Sequence, residues 1–311
     1  LISKHSYLSI LICALAVISG LMTASCTSPD PWRSFVIITD PHLSGDPDHE
    51  KRLSDCVDWI NTHKESEHIE LVFVIGDIAW EDDHLAQAMN ILDGLTIPYV
   101  PIIGDNELHA DDEEEFNAVF DPHYSYLSTV LDNWHKQPTP VWNPETKDYS
   151  YLQNFSFDFM GLHFVCLDWC TRFLEGLKGE QADLHDFTGG TWPWFKQDII
   201  DCDKGKDNNI VMLSHHPMHV TPIIDLELGA FGVEENATIE AFTSDYGENI
   251  YANFAGHYHI GWREFRELGQ YQVHVIEATH IGRNTMQLVH YQSDEGSFVY
   301  RHESVVVPTV D

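Results

Sequence analysis

The sequence predicts an α/β fold, and three observations predict it. Leu71-Val72-Phe73-Val74-Ile75 is a continuous apolar run closed by Gly76, the pattern of a strand buried on both faces. Leu85 to Leu95 then carries apolar residues near helical spacing, and Tyr99 to Ile103 is a second apolar run, so the stretch reads as one βαβ unit. Each of its strands ends in a glycine followed by a carboxylate, in Gly76-Asp77 and in Gly104-Asp105-Asn106-Glu107. In open α/β sheets, ligands bind beyond the carboxyl ends of the strands. Two carboxylates set there by neighbouring strands point to a metal site.

At the start of the chain, Lys4 precedes the apolar stretch Leu8 to Met22. At roughly 15 residues this stretch is shorter than the about 20 that span a bilayer. A charged start, an apolar middle and small residues after it describe a secretion signal. It ends Thr23-Ala24-Ser25-Cys26, which resembles the bacterial lipobox, with Thr23 where Leu is usual. Residues 1–25 are therefore expected to be a signal peptide of lipoprotein type. Residues 26–33, with Pro29 and Pro31, read as a tether. The expected location is outside the cytoplasm, on a bacterial envelope through a lipid at Cys26. Without lipidation the protein would be periplasmic or secreted. The about 280 residues from Ser34 to Asp311 show no repeat and no second linker, and read as one domain.

The net charge is -34, and Asp111 to Glu115 is a continuous acidic run. Such a surface repels nucleic acid and anionic headgroups, so no nucleic-acid partner is expected and membrane contact only through the N-terminal lipid. The run itself reads as a solvated loop or a helix start. Apart from Cys13 and Cys26, the cysteines are Cys56, Cys166, Cys170 and Cys202. Export permits disulfides, but their spacing matches no zinc motif, and buried free thiols are the plainer reading.

Taken in order, the first strand is Ser34 to Thr39, and it ends Asp40-Pro41-His42. That places a carboxylate and an imidazole within reach of one ion; the plainer reading is a turn whose Asp caps the helix from about His49 to Thr62. The βαβ unit follows and supplies Asp77, which could equally be a cap. Asp111 to Thr146 is polar and aromatic with no clear period, a long excursion near the strand ends. Tyr151 to Phe159 and Leu162 to Asp168 alternate about Met160-Gly161, which predicts a hairpin in a second sheet. Thr191 to Cys202 carries a helical stripe of Trp194, Phe195 and Ile199. The strand Asn209 to Leu213 ends Ser214-His215-His216-Pro217, and Asn249 to Phe254 ends Ala255-Gly256-His257-Tyr258-His259. A lone histidine is usually structural, yet here two strands end in paired histidines and three in carboxylates. That mixture suits Zn, Fe, Mn or Co better than Ca or Mg.

Asp40-x-His42, Gly76-Asp77, Gly104 to Glu107, His215-His216-Pro217 and Gly256-His257-x-His259, in that order, resemble the motifs of the calcineurin-like metallophosphoesterase superfamily. The resemblance runs from about Ser34 to His290. It implies a four-layer α-β-β-α sandwich, two mixed sheets face to face with helices outside. The strands near Tyr271 to Glu277, Thr285 to Tyr291 and Phe298 to His302 would complete the second sheet. It also implies two divalent or trivalent transition-metal ions (Mn, Fe or Zn). Asp40, His42 and His259 would hold one, His215, His257 and a third-motif residue the other, and Asp77 would bridge them. Two cations about 3.5–4 Å apart lower the pKa of a shared water far below about 15.7, and the hydroxide attacks phosphorus in line. His216 follows a ligand and is not a matched ligand position.

One departure matters. The family's third motif has Asn as ligand and then His, which contacts the phosphate. Here the chain reads Gly104-Asp105-Asn106-Glu107. In one register Asp105 is the ligand and Asn106 replaces the His; in the other Asn106 is the ligand and the His is missing. The strand end and its glycine favour the first. Asn106 can donate a hydrogen bond but cannot supply a proton near neutral pH. His109, close downstream, could substitute, or be a plain surface histidine. The function expected is hydrolysis of a phosphomonoester or phosphodiester, with a small phosphorylated substrate. The alternative is a non-catalytic metal-binding surface lipoprotein on the same scaffold. A third reading is a polysaccharide-binding module using Trp134, Trp142, Trp192 and Trp194. The residues specify no oligomeric state.

Overall fold

Three apolar runs form the parallel part of the first sheet. Strand β1 (Arg33–Thr39) leads to helix α1 (Pro47–Glu67), then strand β2 (Ile69–Ile75), helix α2 (Asp82–Leu92) and strand β3 (Tyr99–Ile102). The strands pair in parallel, β1 with β2 and β2 with β3. Helix α1 starts where Asp46 caps it, its side chain accepting from the Asp48 backbone N–H with Pro47 at the first turn. Asp40 is thus not the cap of this helix. The computed structural model describes residues 31–308 apart from 81, 110–112, 174–180, 203–204, 206, 219–230, 269–270 and 278–280. The expected signal peptide and nearly all of the tether lie outside the described residues. Trp32 onward is one compact unit.

After β3 come the short helix α3 (Asn106–His109) and helix α4 (Glu113–Val130). The second sheet then takes over: β4 (Asp132–Lys136), a side hairpin of β5 (Val141–Asn143) and β6 (Asp148–Ser150), then β7 (Phe155–Phe159) and β8 (Leu162–Leu167). Helix α5 (Thr191–Asp201) leads to β9 (Ile210–Ser214), and helix α6 (Val233–Thr243) to β10 (Ile250–Ala255). Strands β11 (Trp262–Leu268), β12 (Tyr271–Glu277), β13 (Thr285–Asp294) and β14 (Ser297–Val306) close the chain. The sheets run β14-β13-β1-β2-β3 and β11-β12-β10-β9-β8-β7-β4, both mixed.

Period-two alternation divides each central strand between two layers. On β9, Val211 and Leu213 join the core between the sheets, while Ile210 and Met212 join an outer cluster with Trp192, Phe195 and Ile239 from α5 and α6. Phe35 of β1 meets Phe164 of β8 and Phe254 of β10 edge-on, at 5.5 and 5.9 Å between ring centres, so the sheets face each other. Helix α1 lays Leu53, Cys56, Val57 and Ile60 on the other side of the first sheet. The four layers expected from the resemblance are present.

Three expectations are corrected. The excursion from Asp111 contains the 18-residue helix α4, which buries Phe116, Phe120, Tyr124 and Leu127. Glu113 to Glu115 form its first turn, where carboxylates favour the helix dipole. Strands β13 and β14 join the first sheet, not the second: β13 pairs antiparallel with β1, Phe35 opposite Val289. Trp134 packs with the core and Trp192 is buried in the outer cluster, so the four tryptophans do not form an exposed binding face. Cys56, Cys166, Cys170 and Cys202 are thiols that form no disulfide among the described residues. Among the described residues, no helix is long and apolar enough to cross a membrane.

Candidate metal centre

Parallel pairing brings five strand ends to one place. Beyond β1, β2 and β3 stand Asp40, Asp77 and Asp105; beyond β9 and β10 stand His215 and His257. Backbone bonds stitch these ends together. Gly76 N–H donates to Ile102 O at 2.8 Å, and Gly256 N–H to His215 O at 3.0 Å. Two groups of donor atoms result. Asp40, His42, Asp77 and His259 form one, and Asp105, His215 and His257 the other, with the donor atoms of each within 4.8 Å of one another.

In the first group His42 Nε2 lies 2.9 Å from His259 Nε2, which is 3.4 Å from Asp40 Oδ1. In the second, His215 Nε2 is 2.6 Å from Asp105 Oδ1, and His257 Nδ1 is 3.2 Å from that same oxygen. Asp77 lies between the groups. Its Oδ2 is 3.8 Å from His42 Nε2 and its Oδ1 is 3.2 Å from His215 Nε2. Every residue predicted as a ligand is therefore in the cluster. Of the two third-motif residues, Asp105 faces the histidine pair, while Asn106 Nδ2 sits 3.0 Å from His42 Nδ1. His109 is at the rim, Nε2 3.7 Å from Asp105 Oδ2.

The sequence from Arg33 to Gly261, residues 33–261, matches the calcineurin-like phosphoesterase family. The chain belongs to that family. Its members are phosphoric ester hydrolases. Among curated proteins no sequence matches the chain. Among solved structures, a purple acid phosphatase from yellow lupin (Lupinus luteus) seeds shares the fold at 13% identity and a TM-score of 0.50, over 88% of this chain and 52% of that one. A 5'-nucleotidase from Candida albicans aligns at 14% identity and a TM-score of 0.46, over 90% of this chain and 52% of that one. The anchor protein GAP50 of the Plasmodium inner membrane complex aligns at 10% identity and 0.49, over 90% of each chain. The chain spans about half the length of the first two, at 52% of each.

Backbone strain marks the family's motifs in this chain. Asp40, His42, Asp77, His257 and His259 all have positive φ, at 51°, 50°, 49°, 79° and 59°. Each such residue costs on the order of 1–3 kcal/mol. The glycines before them are equally constrained. A Cβ on Gly76 (φ 59°) would stand 2.1 Å from the His215 ring, and one on Gly104 would stand 2.1 Å from the Asp77 backbone nitrogen. Only hydrogen lets the strand ends approach this closely.

The charges are mutually unsettled. Burial and the neighbouring Asp105 push Asp77 well above the usual carboxylate range. Burial also opposes ionisation of Asp105, but hydrogen bonds from His109, His215 and His257 outweigh it and hold it well below that range. His215 resists burial and is driven well up by Asp77, Asp105 and Asp40. Asp40 Oδ2 is buried with no hydrogen-bond partner. Buried acceptors without donors are costly, and cations satisfy them. The donor set thus fits metal ions on its own chemistry.

Two contributors escaped the sequence reading. Glu107 accepts from the backbone N–H groups of Asp77 (3.1 Å), Ala79 (3.0 Å) and Gly104 (2.7 Å), and so ties the second and third motifs together. Burial, opposed by those donors, brings its carboxyl up to about 7. The sequence reading included it in the third motif, Gly104 to Glu107, but gave it no role. Trp80 stacks on His42 with ring centres 5.0 Å apart and is 51% exposed. His216 is buried beside the site, with Nδ1 3.7 Å from Cys170 Sγ.

Proposed function

We propose that this chain is a metal-dependent phosphoesterase with a dinuclear centre. The observation that carries the reading is the meeting of two donor groups at one carboxylate, Asp77. Asp40, His42 and His259 would hold one ion, and Asp105, His215 and His257 the other. Four imidazoles and three carboxylates suit Mn, Fe or Zn. Bound there, the ions would acidify a shared water to serve as nucleophile and offset the charge of the phosphoryl group.

The protein's own residues would orient and exclude. The strained strand ends fix the ligands before any ion binds, which limits reorganisation. Glu107 holds two of those ends at a common depth. Asn106 donates its backbone N–H to Asp77 Oδ1 at 3.0 Å, which steadies the bridging carboxylate. His109, at the rim, is the nearby group able to hold a proton for a leaving oxygen. The acidic surface favours a small phosphorylated substrate over a nucleic-acid polymer. Export, with a lipid at Cys26, is proposed from the signal-like N-terminus.

The test is turnover of an aryl phosphate and of a bis-aryl phosphodiester, with and without chelator. Turnover of either that chelator abolishes and Mn, Fe or Zn restores is the expected result. A second reading follows from Asn106, which stands where the family has His: a metal-binding protein that has lost catalysis. Two bound ions with no turnover of either ester would favour it.

A further inference from the structure

A second cluster of donors lies outside the centre. Glu145 is in the turn between β5 and β6; Asp183 and His185 are in the segment before α5. One oxygen of each carboxylate and one ring nitrogen of His185 lie within 4.8 Å of one another. Acidic residues near each other are common on a surface this negative. The histidine is what sets this cluster apart.

The His185 side chain is fully buried. Its Nε2 is 3.0 Å from the backbone oxygen of Cys170. A carbonyl only accepts, so Nε2 carries the proton. Nδ1 then presents a lone pair, and it is buried with no hydrogen-bond partner. It lies 3.7 Å from Asp183 Oδ1, on the side of the two carboxylates. Asp183 Oδ1 accepts from the His185 backbone N–H at 2.7 Å. Burial together with the neighbouring Asp183 brings the Glu145 carboxyl up to about 7. The cluster is thus crowded with acceptors, while the His185 Nδ1 lone pair has no donor. Among the described residues, neither Glu145 nor Asp183 has a lysine or arginine partner. A further carboxylate, Glu235, accepts from the backbone N–H of Leu184, between the two positions.

We propose that Glu145, Asp183 and His185 form a third, mononuclear cation site, separate from the dinuclear centre and filled by a divalent transition ion such as Zn or Mn. One imidazole and two carboxylates are a common donor set for such ions and a poor one for the all-oxygen preference of Ca. The exposed Glu145 side leaves room for water ligands. Cys170 O is the outer partner that fixes the tautomer of His185, as metal-bound histidines require. The ion would clip the β5–β6 turn to the segment leading into α5.

The test counts ions by dialysis of the chelator-stripped full chain against Zn, followed by metal analysis. Glu145→Gln should bind one equivalent less than its parent. The same difference should remain in an Asp77→Asn background, so the result stands whether or not the dinuclear reading holds. His185→Gln should lose the same equivalent, because the amide can still donate to Cys170 O but offers no ring lone pair. Zn should also raise the Tm of the Asp77→Asn protein, and raise it less in the double variant with Glu145→Gln. Should His185→Gln fail to fold by circular dichroism, Glu145→Gln decides alone, because its side chain is exposed. Equal ion counts in parent and Glu145→Gln overturn the proposal.

Discussion

Two regions of this molecule bury carboxylates against histidines, and they do so in opposite ways. On the second sheet, His163 lies between Asp158 Oδ1 at 2.7 Å and Asp198 Oδ2 at 3.1 Å. Ser156 Oγ and His135 complete Asp198. One ring donates twice, each carboxylate is answered, and none of the three residues has positive φ. At the strand ends, three aspartates share four histidines, five of the seven proposed ligand positions are strained, and a buried Asp40 oxygen has no partner. Burial of charge is common to both. What separates them is whether protons alone can balance it. His163 is solved by a proton; the strand-end cluster needs cations.

The largest effect that tests this contrast is at Asp77. Asp77→Asn removes the carboxylate whose two oxygens lie toward the Nε2 atoms of His42 in one group and His215 in the other. Metal analysis should show loss of most bound metal from the centre, and turnover should fall by more than the about 10–100-fold that removal of an outer partner costs. Asp198→Asn, also a buried carboxylate, should leave the metal content unchanged. Near-native metal and turnover in Asp77→Asn would end the distinction drawn here.

How much of this was legible in sequence follows from the same contrast. The proposed ligands sit within a few residues of strand ends, and a glycine directly precedes Asp77, Asp105 and His257. Short motifs therefore carried them. The His163 network carries no such mark, because Asp158, His163 and Asp198 come together through sheet pairing and a helix crossing. Glu145, Asp183 and His185 are equally scattered. Helix α4 was hidden although Phe116, Phe120, Tyr124 and Leu127 lie at helical spacing, because the whole excursion from Asp111 to Thr146 shows no clear period; of the two readings of the acidic run, the helix start holds from Glu113. The placement of β13 beside β1 depends on pairing across most of the chain, as in Phe35 with Val289. No local pattern encodes it.

A smaller effect probes the rim of the centre. A poor leaving group such as an alkoxide needs a proton as its P–O bond breaks, and an aryl leaving group needs much less. Asn106 is buried against His42 and cannot supply one. Asn106→His should raise turnover of alkyl esters more than of aryl esters, within the about 10²–10⁴-fold range of general acid help. If His109 already serves, His109→Ala should depress alkyl turnover selectively and Asn106→His should add little. An unchanged alkyl-to-aryl ratio in both variants would remove proton donation from the account.

The smallest effect on activity, and the sharpest on the comparison, is at His163. Burial works against its charge, but Asp158 and Asp198 outweigh it and raise its pKa from 6.5 to about 9. A folded-state pKa above the unfolded one stabilises the fold when the group is protonated. The contribution is therefore present in full below about pH 6.5 and is lost as pH rises through about 9. The shift corresponds to at most about 3 kcal/mol at about 1.36 kcal/mol per unit. Urea unfolding across that window should show wild-type stability falling, with His163→Gln less stable at low pH and flatter across it. Metal content at the strand-end centre should not change, because the network holds its charge without an ion. A His163→Gln protein that loses metal would mean the two regions are coupled. A pH profile parallel to wild type would mean that His163 is neutral in the fold, and that its carboxylates are balanced by something other than its proton.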